Sequence, residues 1–93
     1  KGKEPVLAAR AKACEGDAYV GLGDYAAAVS CFEAAVNLAD NVFAATYLLK
    51  QGLACEALGD KAAALSCYET IKDKYPQAIE AYDINKYIAR VSE

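Results

Sequence analysis

The sequence contains no histidine, methionine or tryptophan, and only two prolines among its 93 residues. Without histidine, neither a Ser–His nor a Cys–His catalytic pair can form. No Walker A motif or GxGxxG phosphate loop occurs, and no apolar run approaches the roughly 20 residues of a membrane-spanning helix. The sequence therefore predicts a protein that is not an enzyme, binds no cofactor and makes no membrane contact through this segment.

Basic residues are also few. The chain has 10 Lys and Arg against 13 Asp and Glu, for a net charge of -3. Because nucleic-acid surfaces need clustered basic side chains, this balance argues against a nucleic-acid partner. The four cysteines lack any CxxC spacing. They are interpreted as small apolar packing residues, with a disulfide as the alternative, and no metal site is expected.

One stretch of the chain occurs twice. "GLGDYAAAVSCFE" begins at Gly21, and "ALGDKAAALSCYE" begins at Ala57. When residues 14–36 are aligned with 50–72, 11 of the 23 positions are identical. A catalytic site needs no such duplication. Helical solenoids are built this way, because one helix pair cannot bury its apolar face alone.

Apolar spacing and turn residues divide the chain into five helices. Their expected bounds are about 6–21, 25–39, 42–57, 61–74 and 77–91. Pro5 suits the first turn of the first helix, and Pro76 is predicted to open the fifth. Gly23 is expected to take the left-handed conformation after helix one, Asp24 to cap helix two and Asn41 to cap helix three. No stretch alternates with period two, so the predicted fold class is all-α.

The duplicated residues resemble the tetratricopeptide repeat (TPR), a helix pair of 34 residues with small and large side chains at set positions. In repeat one the matching residues are Gly16, Tyr19, Gly23, Asp24, Tyr25, Ala28, Phe32 and Ala35. In repeat two they are Leu48, Gly52, Cys55, Gly59, Asp60, Ala64, Tyr68 and Pro76. The resemblance implies a TPR-type α-solenoid in a single domain over 1–93, with repeats at about 9–42 and 45–78 and a capping helix at about 77–91.

Two departures from the TPR pattern stand out. The period is 36 residues, and the two extra residues are expected in the turn near "NLADNVF". Lys12 and Glu15 occupy positions that are normally large and apolar. Either the first helix is salt-bridged and half-exposed, or this face docks on an upstream repeat.

The C-terminal sequence has a "KYP" turn before a closing helix, and it resembles single-pass, membrane-anchored bacterial TPR proteins. That resemblance implies a periplasmic domain from which an anchor and further repeats have been removed. A cytoplasmic location is the alternative, favoured by four cysteines without an evident pairing. In the closing helix, Ala81, Ile84, Ile88 and Val91 form an apolar stripe typical of a capping helix.

The TPR resemblance implies a scaffold that binds a protein or peptide partner in a concave groove, which the first helix of each pair lines. The expected contact residues are Arg10, Asp17, Val20, Thr46, Leu49, Leu53 and Glu56, with Ala13 beside them. Some TPR proteins hold a C-terminal carboxylate with Lys, Asn and Arg, and this chain lacks that clamp at the matching positions Ala13, Asp17, Leu49 and Leu53. A C-terminal acidic peptide is therefore not the expected ligand.

Leu49 and Leu53 lie one helical turn apart and off the core stripe. Either the closing helix covers them, or they anchor a partner's segment, with Asp17 and Glu56 favouring a basic flank. The alternative function is a structural one, in which the domain stacks in a longer solenoid or self-associates into a homo-oligomer.

Overall fold

The computed structural model of the protein describes residues 4–39 and 41–93, without the side chains of residues 41 and 42. Within these residues the chain forms five α-helices, one 3-10 helix and no strand. The helices are α1 (Glu4–Leu22), α2 (Tyr25–Leu38), α3 (Asn41–Leu58), α4 (Lys61–Lys74) and α5 (Ile84–Val91), with the 3-10 helix at Ile79–Ala81. Each α-helix packs on the next in chain order, which confirms the predicted all-α repeat fold.

The two Gly-Asp turns have the same geometry. Gly23 and Gly59 adopt positive φ angles of 80° and 89°, which a residue with a Cβ rarely adopts. The backbone N–H of Asp24 donates back to the last turn of α1 at 2.9 Å, while its carboxylate accepts the Ala27 N–H at 3.2 Å. Asp60 makes the same pair of bonds. One aspartate thus helps to end one helix and begin the next, as the sequence predicts.

The connection between α2 and α3 differs from the expectation. Only residues 39 and 40 separate the two helices, so this connection is no longer than the two Gly-Asp turns. No extra residues therefore lie between the bounds of α2 and α3. The cap predicted at Asn41 concerns a side chain outside the described residues, and α3 already begins at that residue.

The helices of each pair are held together by a glycine that faces an aromatic ring. A Cβ added to Gly16 would lie 2.5 Å from Cε1 of Phe32, and one added to Gly52 would lie 2.5 Å from Cε1 of Tyr68. Such distances are far shorter than van der Waals contact, so both glycines are required for the close approach. The TPR resemblance implies small residues at positions 16 and 52 and large ones at positions 32 and 68 for packing within each helix pair, and these contacts confirm it.

The core is thin and divided into three clusters. The first contains Ala28, Phe32 and Ala54, and the second contains Ala9, Ala13, Ala35 and Tyr47. The third and largest contains Leu48, Cys55, Ala64, Cys67, Tyr68, Ile71, Ile84 and Val91. The last two of these come from α5, so the C-terminal helix completes the main core.

The cysteines are free thiols. Cys55 and Cys67 are buried, and burial raises the pKa of Cys67 to about 12. A thiol with so high a pKa is unreactive at neutral pH. The interpretation as packing residues is therefore confirmed for Cys55 and Cys67 and agrees with the intermediate burial of Cys31, but it is wrong for Cys14, which is exposed. Among the residues that the structure describes, no group of three or more acidic or thiol side chains could hold a metal ion.

The exposed face of α1 carries Lys12 and Glu15, whose side chains form an ion pair at 3.3 Å. Both side chains are about half exposed, at 47% and 57%. This geometry is the salt-bridged, half-exposed first helix that the sequence predicts as one of two alternatives.

The fifth helix is shorter than predicted. A helix over about 77–91 is wrong for its first part, because α5 begins only at Ile84. Pro76 lies in a turn, which the Ala78 N–H closes by donating to the Tyr75 carbonyl at 3.0 Å. Ala78 is extended, with ψ 152°, and the single 3-10 turn follows it.

The reason for this break lies in what the segment contacts. The Glu80 side chain is hydrogen-bonded to Thr46 on α3, and Ala81 packs on the main core. Ile79 and Tyr82 point outward, with 87% and 90% of their surface exposed. These tertiary contacts outweigh the helix propensity of the segment. The predicted apolar stripe nevertheless faces the core. Ile84 and Val91 are buried, and Ala81 and Ile88 pack against the same cluster.

We expect Ala64→Leu to destabilise the protein by about 1–3 kcal/mol, because the residue is 0% exposed at the helix crossing and extra methyl groups overpack a filled core. Urea unfolding measures the change. Ala62→Leu, on the exposed side of the same helix, is the control and should stay within about 0.5 kcal/mol of the wild type. Equal effects of the two substitutions would show that the core assignment is wrong.

Candidate functional site

Six of the seven predicted contact residues fall into two groups of three along the groove formed by α1 and α3. Asp17, Val20 and Leu53 line one pocket of about 210 Å³, here called the α1–α3 pocket. Its remaining walls are Tyr25, Phe32, Lys50 and Ala54. Arg10 is exposed on α1 and lines neither this pocket nor the second one described below. Ala13 is only 5% exposed and belongs to the core.

The α1–α3 pocket is apolar inside and charged at its rim. Val20 and Leu53 are 38% and 40% exposed, so both offer apolar surface to a ligand. At the rim, Nζ of Lys50 lies 3.0 Å from Oδ1 of Asp17. The same Nζ lies 6.0 Å from the centroid of the Phe32 ring, within the range of a cation–π interaction. The Asp17 carboxylate is thus already neutralised by a cation of the chain itself.

The other three predicted residues contact the C-terminal segment, defined here as residues 75–93. The Thr46 hydroxyl donates to Oε2 of Glu80 at 2.6 Å. Leu49 is half-buried and packs against the main core. It also lines a second pocket of about 400 Å³ with Ile79, Glu80, Tyr82, Asp83 and Tyr87. The C-terminal segment therefore occupies the part of the groove that Thr46, Leu49 and Glu56 were expected to offer to a partner.

Glu56 is the centre of a polar network that fastens α5 to repeat two. Arg90 donates through Nε to Oε2 of Glu56 at 2.8 Å and through Nη2 to Oε1 at 2.5 Å. The hydroxyl of the buried Tyr68 donates to the same Oε1 at 2.6 Å. The Tyr87 ring packs beside both partners, 5.4 Å from the Tyr68 ring and 5.0 Å from the Arg90 guanidinium.

This network shifts the pKa values of Glu56 and Tyr68 in opposite directions. The hydrogen bond from Arg90 lowers the pKa of Glu56, with burial opposing the shift and the Tyr68 hydroxyl adding to it. Burial and the neighbouring carboxylate raise the pKa of Tyr68. At neutral pH the carboxylate is therefore ionised and the phenol is neutral, which is the state that both hydrogen bonds require.

Several residues of this region were not among the contact residues predicted from the sequence. Lys50 and Tyr25 line the α1–α3 pocket, and Arg90 holds Glu56. A signal for Lys50 was present, since it lies four residues after Thr46 and three before Leu53, on the same helix face. Arg90 had no such signal, because its contact depends on how α5 is placed on repeat two.

Comparison with known families agrees with this architecture. A model of the tetratricopeptide repeat family matches residues 15–83. The chain belongs to the tetratricopeptide repeat family. No curated protein and no solved structure shows significant similarity to it. TPR domains are in general non-catalytic scaffolds for protein–protein interaction. In the part of the chain that the structure describes, no helix has the length and apolarity needed to cross a membrane.

The Glu56 network predicts a specific dependence of stability on pH. The pKa of Glu56 is lower in the folded protein than its ordinary value of 4.5. Its stabilising contribution is therefore present above about pH 4.5 and is lost as the pH falls through the folded-state pKa. We expect Glu56→Gln to lower the free energy of unfolding at pH 7 by about 1–3 kcal/mol.

Denaturant unfolding of both proteins between pH 7 and pH 2 measures this difference. The difference between wild type and Glu56→Gln should shrink as the pH falls, because the protonated carboxyl of the wild type then resembles the amide. Glu69→Gln, an exposed position on α4, controls for the general effect of removing one negative charge. A difference that stays constant over the whole range would contradict the role given to Glu56.

Proposed function

We propose that this TPR protein is a scaffold that binds a peptide or helix of a partner protein along the groove of α1 and α3. The observation that carries the proposal is the open, apolar α1–α3 pocket. The C-terminal segment occupies the neighbouring part of the groove, at Thr46 and Glu56. Asp17, Val20 and Leu53 are the proposed contacts within the pocket. Arg10 extends the contact surface along α1.

Thr46, Leu49 and Glu56 have a different place in the proposal. Each faces or contacts the C-terminal segment, so a partner meets them only along the border of that segment. The proposed anchor is therefore the pocket itself. Covering the exposed apolar surface of Val20 or Leu53 contributes about 1–2 kcal/mol each to binding.

A second candidate function is stacking or self-association through the outer face of α1. On α3, Tyr47 and Ala54 are buried against residues of α2, at 8% and 4% exposure. The residues 36 positions earlier, Ala11 and Ala18, are exposed on α1, with the 57% exposed Leu7 on the same helix. The face of α3 that packs on repeat one thus corresponds to a face of α1 that is exposed to solvent.

The binding role is tested by selecting peptides from a random display library on the 93-residue chain and measuring their affinity for variants. We expect Leu53→Ser to weaken the selected peptides by about five- to thirtyfold, which corresponds to 1–2 kcal/mol. Its melting temperature should stay close to that of the wild type, because Leu53 is 40% exposed.

Leu38→Ser is the matched control, since Leu38 is also 40% exposed but lies at the end of α2. It should leave peptide affinity unchanged. A selection that enriches no peptide, or an equal loss with both variants, would contradict the groove as the binding site. A large fall in melting temperature for Leu53→Ser alone would show that this leucine belongs to the core.

The stacking role is tested by light scattering over a range of protein concentrations. If α1 self-associates, the mass should rise toward that of a dimer, and Ala11→Glu should restore the monomer because it places a charge in the contact. Ala26→Glu, at an exposed position of α2, should leave the dimer intact. A monomer at every concentration would remove self-association as a function of this segment.

A further inference from the structure

The α1–α3 pocket has an equivalent in repeat two, 36 residues further along the chain. Three of its walls correspond to the members of the Glu56 network: Val20 corresponds to Glu56, Phe32 to Tyr68 and Ala54 to Arg90. In repeat two the Arg90 side chain reaches across to Glu56, and the Tyr68 hydroxyl shares the carboxylate. At the corresponding positions of repeat two, side chains of the chain itself are thus bonded to one another.

In repeat one the three corresponding residues are all apolar. Val20 offers methyl groups in place of a carboxylate, Phe32 lacks the hydroxyl, and Ala54 has only a methyl group in place of the arginine side chain. Ala54 is 4% exposed and packs with Phe32, so its short side chain leaves the space above it empty. The α1–α3 pocket is open because these three positions differ between the repeats.

The lining also decides which side chain can enter. A guanidinium carries five N–H donors, and the walls formed by Val20, Phe32 and Ala54 present no side-chain acceptor. Burying a charge without a partner is costly. The one carboxylate at the rim, Asp17, is paired with Lys50, and the Lys50 ammonium lies above the Phe32 ring. An entering cation would therefore meet a like charge.

We propose that the α1–α3 pocket takes one long apolar side chain of a partner peptide, namely leucine, isoleucine, methionine or phenylalanine, and discriminates against arginine and lysine. This inference rests on the proposed binding function and adds the chemical class of the anchor. The apolar side chain takes the place that the Arg90 side chain fills in repeat two.

The peptides selected from the random display library provide the first test, because the residue at their common anchor position can be read directly. We expect an apolar residue there, and its replacement by arginine should weaken binding by about tenfold or more. Enriched peptides with arginine or lysine as the anchor would overturn the inference and leave the proposed function standing. If no peptide is enriched, the proposed function itself fails.

The second test closes the pocket from within by copying repeat two into repeat one. Val20→Glu and Ala54→Arg are introduced singly and together. We expect the double variant to melt at a higher temperature than Ala54→Arg alone, because the new carboxylate pairs with the new guanidinium as in repeat two. The double variant should also lose the selected peptides.

Two results of this second test would overturn the inference. A double variant no more stable than Ala54→Arg would show that the two sites are not equivalent. A double variant that is more stable but still binds the peptides with unchanged affinity would show that the anchor enters elsewhere. Ser66→Glu, at an exposed position of α4, controls for the one negative charge that Val20→Glu adds and should leave peptide affinity unchanged.

Discussion

The fold depends on the contact between a glycine of one helix and an aromatic ring of the next. Gly16 admits the Phe32 ring and Gly52 admits the Tyr68 ring, at distances where any Cβ would overlap the ring. Because the glycines leave no side chain at the crossing, a large ring is buried in a domain whose core is rich in alanine. The burial of Phe32 and Tyr68, at 1% and 0% exposure, follows from these glycines.

Tyr68 extends this constraint to the C-terminal segment. Its ring fills the space beside Gly52, and its hydroxyl emerges where Glu56 and Arg90 meet. One side chain therefore couples the packing within repeat two to the docking of α5. Phe32 makes the same packing contact without the hydroxyl, and the equivalent region of repeat one stays open. The Tyr68 hydroxyl, the Glu56 carboxylate and the Arg90 guanidinium together mark the difference between the closed and the open end of the groove.

Local sequence signals predicted most of the fold. The Gly-Asp turns, the glycine–aromatic contacts and the first four helices all depend on residues close in sequence or on the internal repeat, and these predictions are confirmed. The start of α5 was predicted wrongly, because it is decided by the contact of Glu80 with Thr46, 34 residues away. Arg90 was missed for the same reason, because its partner Glu56 lies 34 residues away and no periodic pattern encodes such a pair. Lys50 was missed although its spacing from Thr46 and Leu53 places it on the same helix face.

The internal duplication has a consequence for how the two copies tolerate change. In repeat two, Glu56 accepts hydrogen bonds from both Tyr68 and Arg90, so replacing Glu56 leaves the other two without this partner, and replacing either of them removes one of its bonds. In repeat one, Val20 and Leu53 are partly exposed and make no such reciprocal bonds. Their side chains can be exchanged one at a time without opening the core. A chain that carries the same unit twice can therefore keep one copy as a fixed frame while the other acquires a new surface.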